Sequence, residues 1–446
     1  MKWYNVRIKE GILDMNMRIF SVCLVSLALY AHAGPFDSAM LVGRTDKDPV
    51  SYKAGEKMVF TLSLERIDAL PAGEWSVEWI RRGDDGKKET GKAPAKVGEV
   101  AKVVTSLAKP GFVHLEAHLV DAAGKRVRRD KPAPGENWFG EKGVFFDGGA
   151  AADVAKIAPG EKEPADFDAF WARQRAELAK VPLKAKRWEV KSPKESVRMY
   201  AVEIDCAGGR PVTGYMSIPK RCDNGQKLGA IVSFDGYGTG VPRAPKQCWY
   251  EWQIHFNITA HGCSLEQDAA YYKSFFASIK SNGKGYAFDP VQNADPEKAY
   301  FRGMALRVLR ALEYVESLPE WDGKNLEVTG GSQGGLQTVW AAALDRKVTK
   351  ATPNIIWCCD IGKRGEGRMR SEFEPAYTPA LRYFDCANMA RRITCDVHVT
   401  RAGLGDYTSP PSGITVFYNN LVKAKSKKID YVQGSRHGYV PPKAKK

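Results

Sequence analysis

The stretch Leu326–Gly335, LEVTGGSQGG, places a serine among glycines in the spacing G-x-S-x-G, at Gly330-Gly331-Ser332-Gln333-Gly334. A strand-compatible run precedes it and a helix-compatible run, LQTVWAAAL, follows. In that setting the spacing predicts a strand-to-helix turn so tight that the Ser332 hydroxyl projects above a sheet. Glycines at 330, 331 and 334 let the backbone close up around it. Such a serine suits attack on an acyl carbon, and the N-terminus of the following helix favours the negative charge that then develops. Without the flanking strand and helix the same five residues would read as an ordinary glycine-rich turn.

A hydroxyl becomes a useful nucleophile only beside a base. Of seven histidines, His32 falls in the N-terminal apolar segment, and His114 and His118 fall in an early strand-rich region. His255 and His261 bracket a strand well before the serine, and His398 sits inside a later strand. His437, in Ser435-Arg436-His437-Gly438-Tyr439, alone occupies a loop after the last strand. The α/β-hydrolase chain order of Ser, acid, His therefore selects His437 as base. Asp406, in GLGDYTSPP, lies between the two and after a late strand. Its role would be to hold the imidazole tautomer and stabilise the imidazolium. Asp360, after Ile355–Cys359, is the competing acid. Acyl transfer also needs donors for an oxyanion. The Gln333 N–H, next to the serine, is one candidate. The other is the Tyr237 N–H in the loop Asp235–Gly240, DGYGTG, which could otherwise be a plain turn.

These side chains need a sheet to gather them. From about residue 187 short apolar strands alternate with helical segments: Gly229–Phe234, His255–Thr259, Asn325–Thr329, Val397–Thr400 and Ile429–Gln433, with a helix over Tyr300–Leu318. Arg198–Ile204 and Val212–Ile218 look like an antiparallel pair. The expectation is an α/β class, a mostly parallel sheet flanked by helices. A helix over Phe167–Leu178 precedes it, with Asp166 as N-cap and Gln174 interrupting its apolar face. Residues 38–147 instead show strand signals broken by turns, as in Lys57–Glu65, Trp75–Ile80 and Phe112–Val120, which suggests a small β-sandwich. Nothing in it marks a ligand site, which favours a spacer over a carbohydrate-binding role.

The 446 residues thus divide into an upstream extension and leader at 1–33, an immunoglobulin-like β-sandwich at 34–147, an Ala/Gly/Pro linker at 148–164 and an α/β-hydrolase domain at 165–446. The leader rests on Arg18, the apolar run Ile19–Leu29 and Ala31-His32-Ala33, the pattern of a secretory signal peptide. The run is short of the roughly 20 residues a membrane span needs. Met15 or Met17 fits the start of such a leader better than Met1, and Cys23 lacks the context of a lipid anchor. A secreted or periplasmic location follows. The net charge of +15 is scattered, with small clusters at 423–428 and 443–446 and no base-stacking motif, so nucleic acid is not an expected partner. Nine cysteines show no metal-ligand spacing, so no metal is expected, and Cys206 and Cys222 are candidates for a disulfide.

The chain resembles the acetyl xylan esterases and cephalosporin-C deacetylases of carbohydrate esterase family seven over roughly residues 160–446. The likeness rests on FDAFW at 167–171, Gly236-Tyr237-Gly238, VTGGSQGG, GLGDYTSPPS and the terminal His437-Gly438-Tyr439. It implies removal of acetyl groups from xylo-oligosaccharides and similar small esters, without a cofactor. It implies Ser332, Asp406 and His437 as the triad, and the Tyr237 and Gln333 N–H groups as oxyanion donors. Two motifs depart from the family pattern. Asp235 stands where His-Gly-Tyr would begin, and His261-Gly262-Cys263 replaces Arg-Gly-Gln. Trp249, Tyr250 and Trp252 cluster after the oxyanion loop and could stack on a sugar or belong to the core. The competing functions are a methyl-esterase or peptidase on the same fold, and an inactive carbohydrate-binding protein.

Overall fold

The computed structural model describes residues 34–248, 250–362 and 367–443. The expected leader at 1–33 and Trp249 lie outside these.

Eight strands come first: β1 (Met40–Thr45), β2 (Met58–Glu65), β3 (Trp75–Gly83), β4 (Lys88–Pro94), β5 (Gly98–Thr105), β6 (Gly111–Asp121), β7 (Glu136–Asn137) and β8 (Phe145–Ala152). Strands β1-β2-β5 form one antiparallel sheet and β4-β3-β6-β8 another. The inward residues of both, among them Leu41, Phe60, Leu62, Val77, Leu115, Leu119 and Phe146, share one core. That is the packing of a sandwich, driven by the period-2 alternation read in β2 and β6.

The remainder is built on a nine-stranded sheet in the order β17-β16-β15-β14-β12-β13-β11-β10-β9. Its strands are β9 (Ala185–Val190), β10 (Val197–Ile204), β11 (Val212–Pro219), β12 (Leu228–Phe234), β13 (Ile254–Ile258), β14 (Trp321–Gly331), β15 (Lys350–Asn354), β16 (Asp396–Gly403) and β17 (Ser426–Val432). From β13 to β17 every pairing is parallel, and β9, β10 and β11 run antiparallel at the other edge. Helices α1 (Phe167–Ala179), α2 (Ala269–Ser278), α3 (Tyr300–Glu316), α4 (Gln333–Leu344), α5 (Cys386–Met389) and α6 (Pro411–Asn419) complete it. Both α3 and α4 are apolar over most of their surface and almost wholly buried. A last short strand, β18 (Tyr439–Val440), pairs with β7, so the segment that follows His437 is stitched to the β-region.

Three expectations are corrected. Gly148–Ala152 is the buried end of β8, not linker. Its small residues mark tight packing: a Cβ on Gly149 would come within 2.3 Å of the Val113 carbonyl and 3.0 Å of that of Leu404. Asp166 precedes α1 without capping it by its side chain, because the carboxylate accepts the Tyr383 hydroxyl instead. Gln174 interrupts the α1 stripe yet is buried, bonded to Glu297 and Arg302 at 2.8 and 2.5 Å. Cys206 and Cys222 are both free. They lie beyond opposite ends of the β10–β11 hairpin, on the order of 20 Å apart at strand rise, too far for a bridge.

Candidate active site

The β14–α4 junction is forced by its glycines. Cβ atoms on Gly330 and Gly334 would fall 2.7 and 2.1 Å from the Phe234 carbonyl oxygen. Ser332 between them sits at φ 57°, ψ −119°, a conformation that costs an L-residue about 1–3 kcal/mol. The turn thereby lifts the hydroxyl off the sheet. The Ser332 N–H donates to the Asn354 carbonyl at 3.0 Å and its own carbonyl accepts the Trp357 N–H at 3.2 Å, which ties the turn to the end of β15.

The loops after β16 and β17 leave the same edge of the sheet, because these strands are parallel to β14's neighbours. They bring Asp406 and His437 to the serine. His437 Nε2 lies 3.1 Å from Ser332 Oγ, and Nδ1 lies 2.9 and 3.2 Å from the two Asp406 oxygens. A carboxylate only accepts, so Nδ1 carries the proton and Nε2 is left free to accept from the serine. Asp406 is fully buried, and its Oδ1 also accepts the N–H groups of Thr408 and Ser409 at 3.0 and 2.9 Å. Those bonds fix the carboxylate and leave it facing the imidazole. Asp360 goes elsewhere: it pairs with buried Arg368 and accepts the Gly160 N–H at 2.8 Å.

Gln333 opens α4, where a helix leaves its first N–H groups without intrahelical carbonyls. Tyr237 follows β12 and lines the same cavity as Ser332 and His437. One residue not singled out from the sequence joins these two places. Buried Tyr286 donates to Gln333 Oε1 at 2.7 Å and accepts the Gly238 N–H at 3.0 Å, while its ring stacks on Tyr237 at 4.2 Å. Behind it His261 bonds the Gly238 carbonyl at 2.9 Å and the Tyr300 hydroxyl at 2.8 Å. Burial pushes His261 down to about 4, so it stays neutral near pH 7, against the opposing pull of its bond to Gly238.

A cavity of about 700 Å³ opens over the serine, walled by Tyr237, Phe373, Ile355 and Arg401, and by Trp138 and Phe139. The last two come from the β-region, which was expected to act as a spacer. They stand in a Gly/Asn-bounded loop with no alternation, so periodicity gave no signal; two adjacent aromatics among turn residues were the available hint. The β-region also touches the acid and base loops directly. The Gln433 side chain pairs with both the N–H and the carbonyl of Gly149 at 2.8 Å, and the His114 ring packs 4.2 Å from that of Tyr407. Of the aromatic cluster named from the sequence, Tyr250 and Trp252 lie outside this cavity: Tyr250 packs on His255, and exposed Trp252 lies under the Arg221 guanidinium. Among the described residues no group of three or more His, Cys, Asp or Glu side chains is placed to hold a metal ion. No helix among them is long and apolar enough to cross a membrane.

A polarised hydroxyl, an oriented imidazole and a buried carboxylate, beside the loop after β12 and the N-terminus of α4, suit acyl transfer through a tetrahedral intermediate. Several known proteins similar to this chain are esterases. A family model described as acetyl xylan esterase (AXE1) matches residues 151–366 and 368–446. Acetyl esterase Axe7A of Xylanibacter ruminicola is 27% identical over 353 residues, 76% of this chain and 74% of that protein. The acetyl xylan esterase of Paenibacillus sp. R4 superimposes with a TM-score of 0.53 at 27% identity, over 64% of this chain and 93% of that one. Acetyl xylan esterase 1 of Thermoanaerobacterium sp. shares the fold with a TM-score of 0.54 at 23% identity, over 64% of this chain and 92% of its own.

Proposed function

Because the chain belongs to the acetyl xylan esterase family, and so is a carboxylic ester hydrolase of α/β-hydrolase fold, we propose that it removes acetyl groups from acetylated xylan or xylo-oligosaccharides through an acetyl-enzyme on Ser332. The observation that carries this is the 3.1 Å approach of His437 Nε2 to Ser332 Oγ, with Asp406 seated behind the ring.

Ser332 Oγ attacks the ester carbonyl while His437 takes its proton. The carbonyl oxygen becomes an oxyanion facing the N–H groups of Gln333 and Tyr237. Asp406 steadies the imidazolium. Collapse of the intermediate breaks the bond to the sugar oxygen, which leaves with the proton from His437. Water, deprotonated by His437, then attacks the acetyl-enzyme and releases acetate. The leader-like segment around Ile19–Leu29 supports export, where a plant polymer would be met.

The test is acetate release from acetylated xylan and from p-nitrophenyl acetate by purified wild-type and Ser332→Ala protein. Retention of wild-type rates by Ser332→Ala would overturn the reading. Methyl-esterified uronate and peptide substrates in the same panel separate the alternative hydrolase chemistries.

A further inference from the structure

Trp138 and Phe139 are 59% and 70% exposed, among the most exposed large apolar side chains of the protein, and both line the wall of the Ser332 cavity. They lie before residue 151, outside the part of the chain that the family model matches. Adjacent exposed aromatics at the mouth of a cavity mark a contact surface.

Their setting is rigid. β7 pairs with β18, with Asn137 opposite Tyr439, and the Trp138 N–H donates to the Gly438 carbonyl at 2.9 Å. The Asn137 side chain closes the loop behind them, donating to the Ala133 and Glu141 carbonyls at 3.2 and 2.9 Å and accepting the Glu141 N–H at 2.8 Å. The Arg401 guanidinium, buried and bonded to the His437 carbonyl at 3.3 Å, lies 4.9 Å from the centre of the Trp138 indole. The Phe139 ring rests on Gly438, beside the base, where a Cβ would overlap it at 2.1 Å. The two rings are thus backed by Arg401 and Gly438, and both line the cavity.

An acetyl group fills only a small part of about 700 Å³. The remainder must suit what the acetyl is attached to. A pyranose presents an apolar face of C–H groups and an equatorial rim of hydroxyls, which matches a flat aromatic face bordered by polar groups. We propose that Trp138 and Phe139 form a stacking subsite for a sugar ring of the glycan chain, next to the ring that carries the acetyl, so that the β-region is part of the substrate site. This rests on the esterase reading above and deepens it.

The experiment compares wild type, Trp138→Ala, Trp138→Tyr and Phe139→Ala on acetylated methyl xyloside and on acetylated xylotetraose, with thermal unfolding as a check on folding. The expected result is that Trp138→Ala lowers the ratio of kcat/KM on the tetraose to that on the monosaccharide by about tenfold, mainly through KM. Phe139→Ala lowers it less, and Trp138→Tyr recovers most of it. An equal loss on both substrates, or no loss on either, overturns the subsite. So does a loss that follows acyl chain length, read with butyryl in place of acetyl, because the rings would then face the acyl group. If the esterase reading itself is wrong, wild type hydrolyses neither substrate, an outcome distinct from variants that match an active wild type.

Discussion

Tyr286 donates its hydroxyl proton to the side-chain oxygen of Gln333 at 2.7 Å, and the Tyr286 hydroxyl oxygen accepts the Gly238 N–H at 3.0 Å. One buried hydroxyl therefore sets the distance between the loop after β12 and the first residue of α4. The candidate oxyanion donors belong to those two segments. Their separation is a property of a third element, the loop after α2.

Tyr286→Phe removes the clamp and keeps the ring stacked on Tyr237. A Gly238 N–H left without an acceptor costs about 1–3 kcal/mol, so the denaturant midpoint should fall. Complete loss of one oxyanion donor costs about 10²–10³ in kcat. A donor loosened but still present should lose about tenfold, in kcat more than in KM. Steady-state kinetics on p-nitrophenyl acetate check this; an unchanged kcat would mean that the loops hold their spacing without Tyr286.

Asp406→Asn should leave the fold in place, because the amide oxygen still meets the N–H groups of Thr408 and Ser409. It should also favour the wrong imidazole tautomer and lower kcat by about 10⁴. Asp360→Asn has the opposite profile. It weakens the partner of buried Arg368 and should lower stability by roughly 3 kcal/mol or more. Parallel measurements of kcat and thermal unfolding on the two variants separate the catalytic acid from its competitor in sequence.

The site was legible in the sequence where chemistry and chain order coincide. Ser332 carries its own turn signal, and once it is fixed the order of elements leaves His437 and Asp406 with few rivals. The loop of Trp138 and Phe139 was not legible, because its contacts lie with residues some 300 positions later and β7 is only two residues long. The ending of β8 was misread for a related reason. Gly148, Gly149 and Ala150–Ala152 carry the composition of a linker, and only the packed neighbours show why small residues are needed there: a Cβ on Gly149 would meet the Val113 carbonyl at 2.3 Å and that of Leu404 at 3.0 Å. Tyr286 was hidden among other aromatics, since a hydroxyl that bridges two loops leaves no periodic trace.

His261 should take stability away as pH drops from about 6.5 towards 4. Folded, its pKa is depressed from 6.5 to about 4 by burial. Below about 6.5 the unfolded chain gains a proton that the folded protein does not bind, so the loss begins there and ends once the folded pKa is passed. The full effect is on the order of 3 kcal/mol. The buried Asp385 carboxyl, pushed up to about 7 by burial and then by Asp360, contributes the opposite trend. Urea unfolding of wild type and His261→Gln across this range cancels what the two proteins share. The difference in stability between them should shrink as the pH falls, and a constant difference would rule His261 out as a source of the pH dependence.

Two glycines offer the same clearance and should respond differently to a methyl group. A Cβ on Gly334 would fall 2.1 Å from the Phe234 carbonyl oxygen, and one on Gly438 would fall 2.1 Å from the Phe139 ring. The first obstacle is the backbone of β12, flanked on both sides by sheet, and it has nowhere to go. The second is an exposed side chain that can rotate outward. Gly334→Ala should therefore abolish soluble expression or lower stability by more than about 3 kcal/mol. Gly438→Ala should fold, lose about 1 kcal/mol and displace the ring. The Gly438 effect should also vanish in a Phe139→Ala background, because the collision partner is gone, whereas Gly334→Ala should be as damaging there as in wild type. A double-mutant cycle on unfolding free energy measures both. Coupling near zero between positions 438 and 139 would mean that the ring does not rest on the base loop in solution.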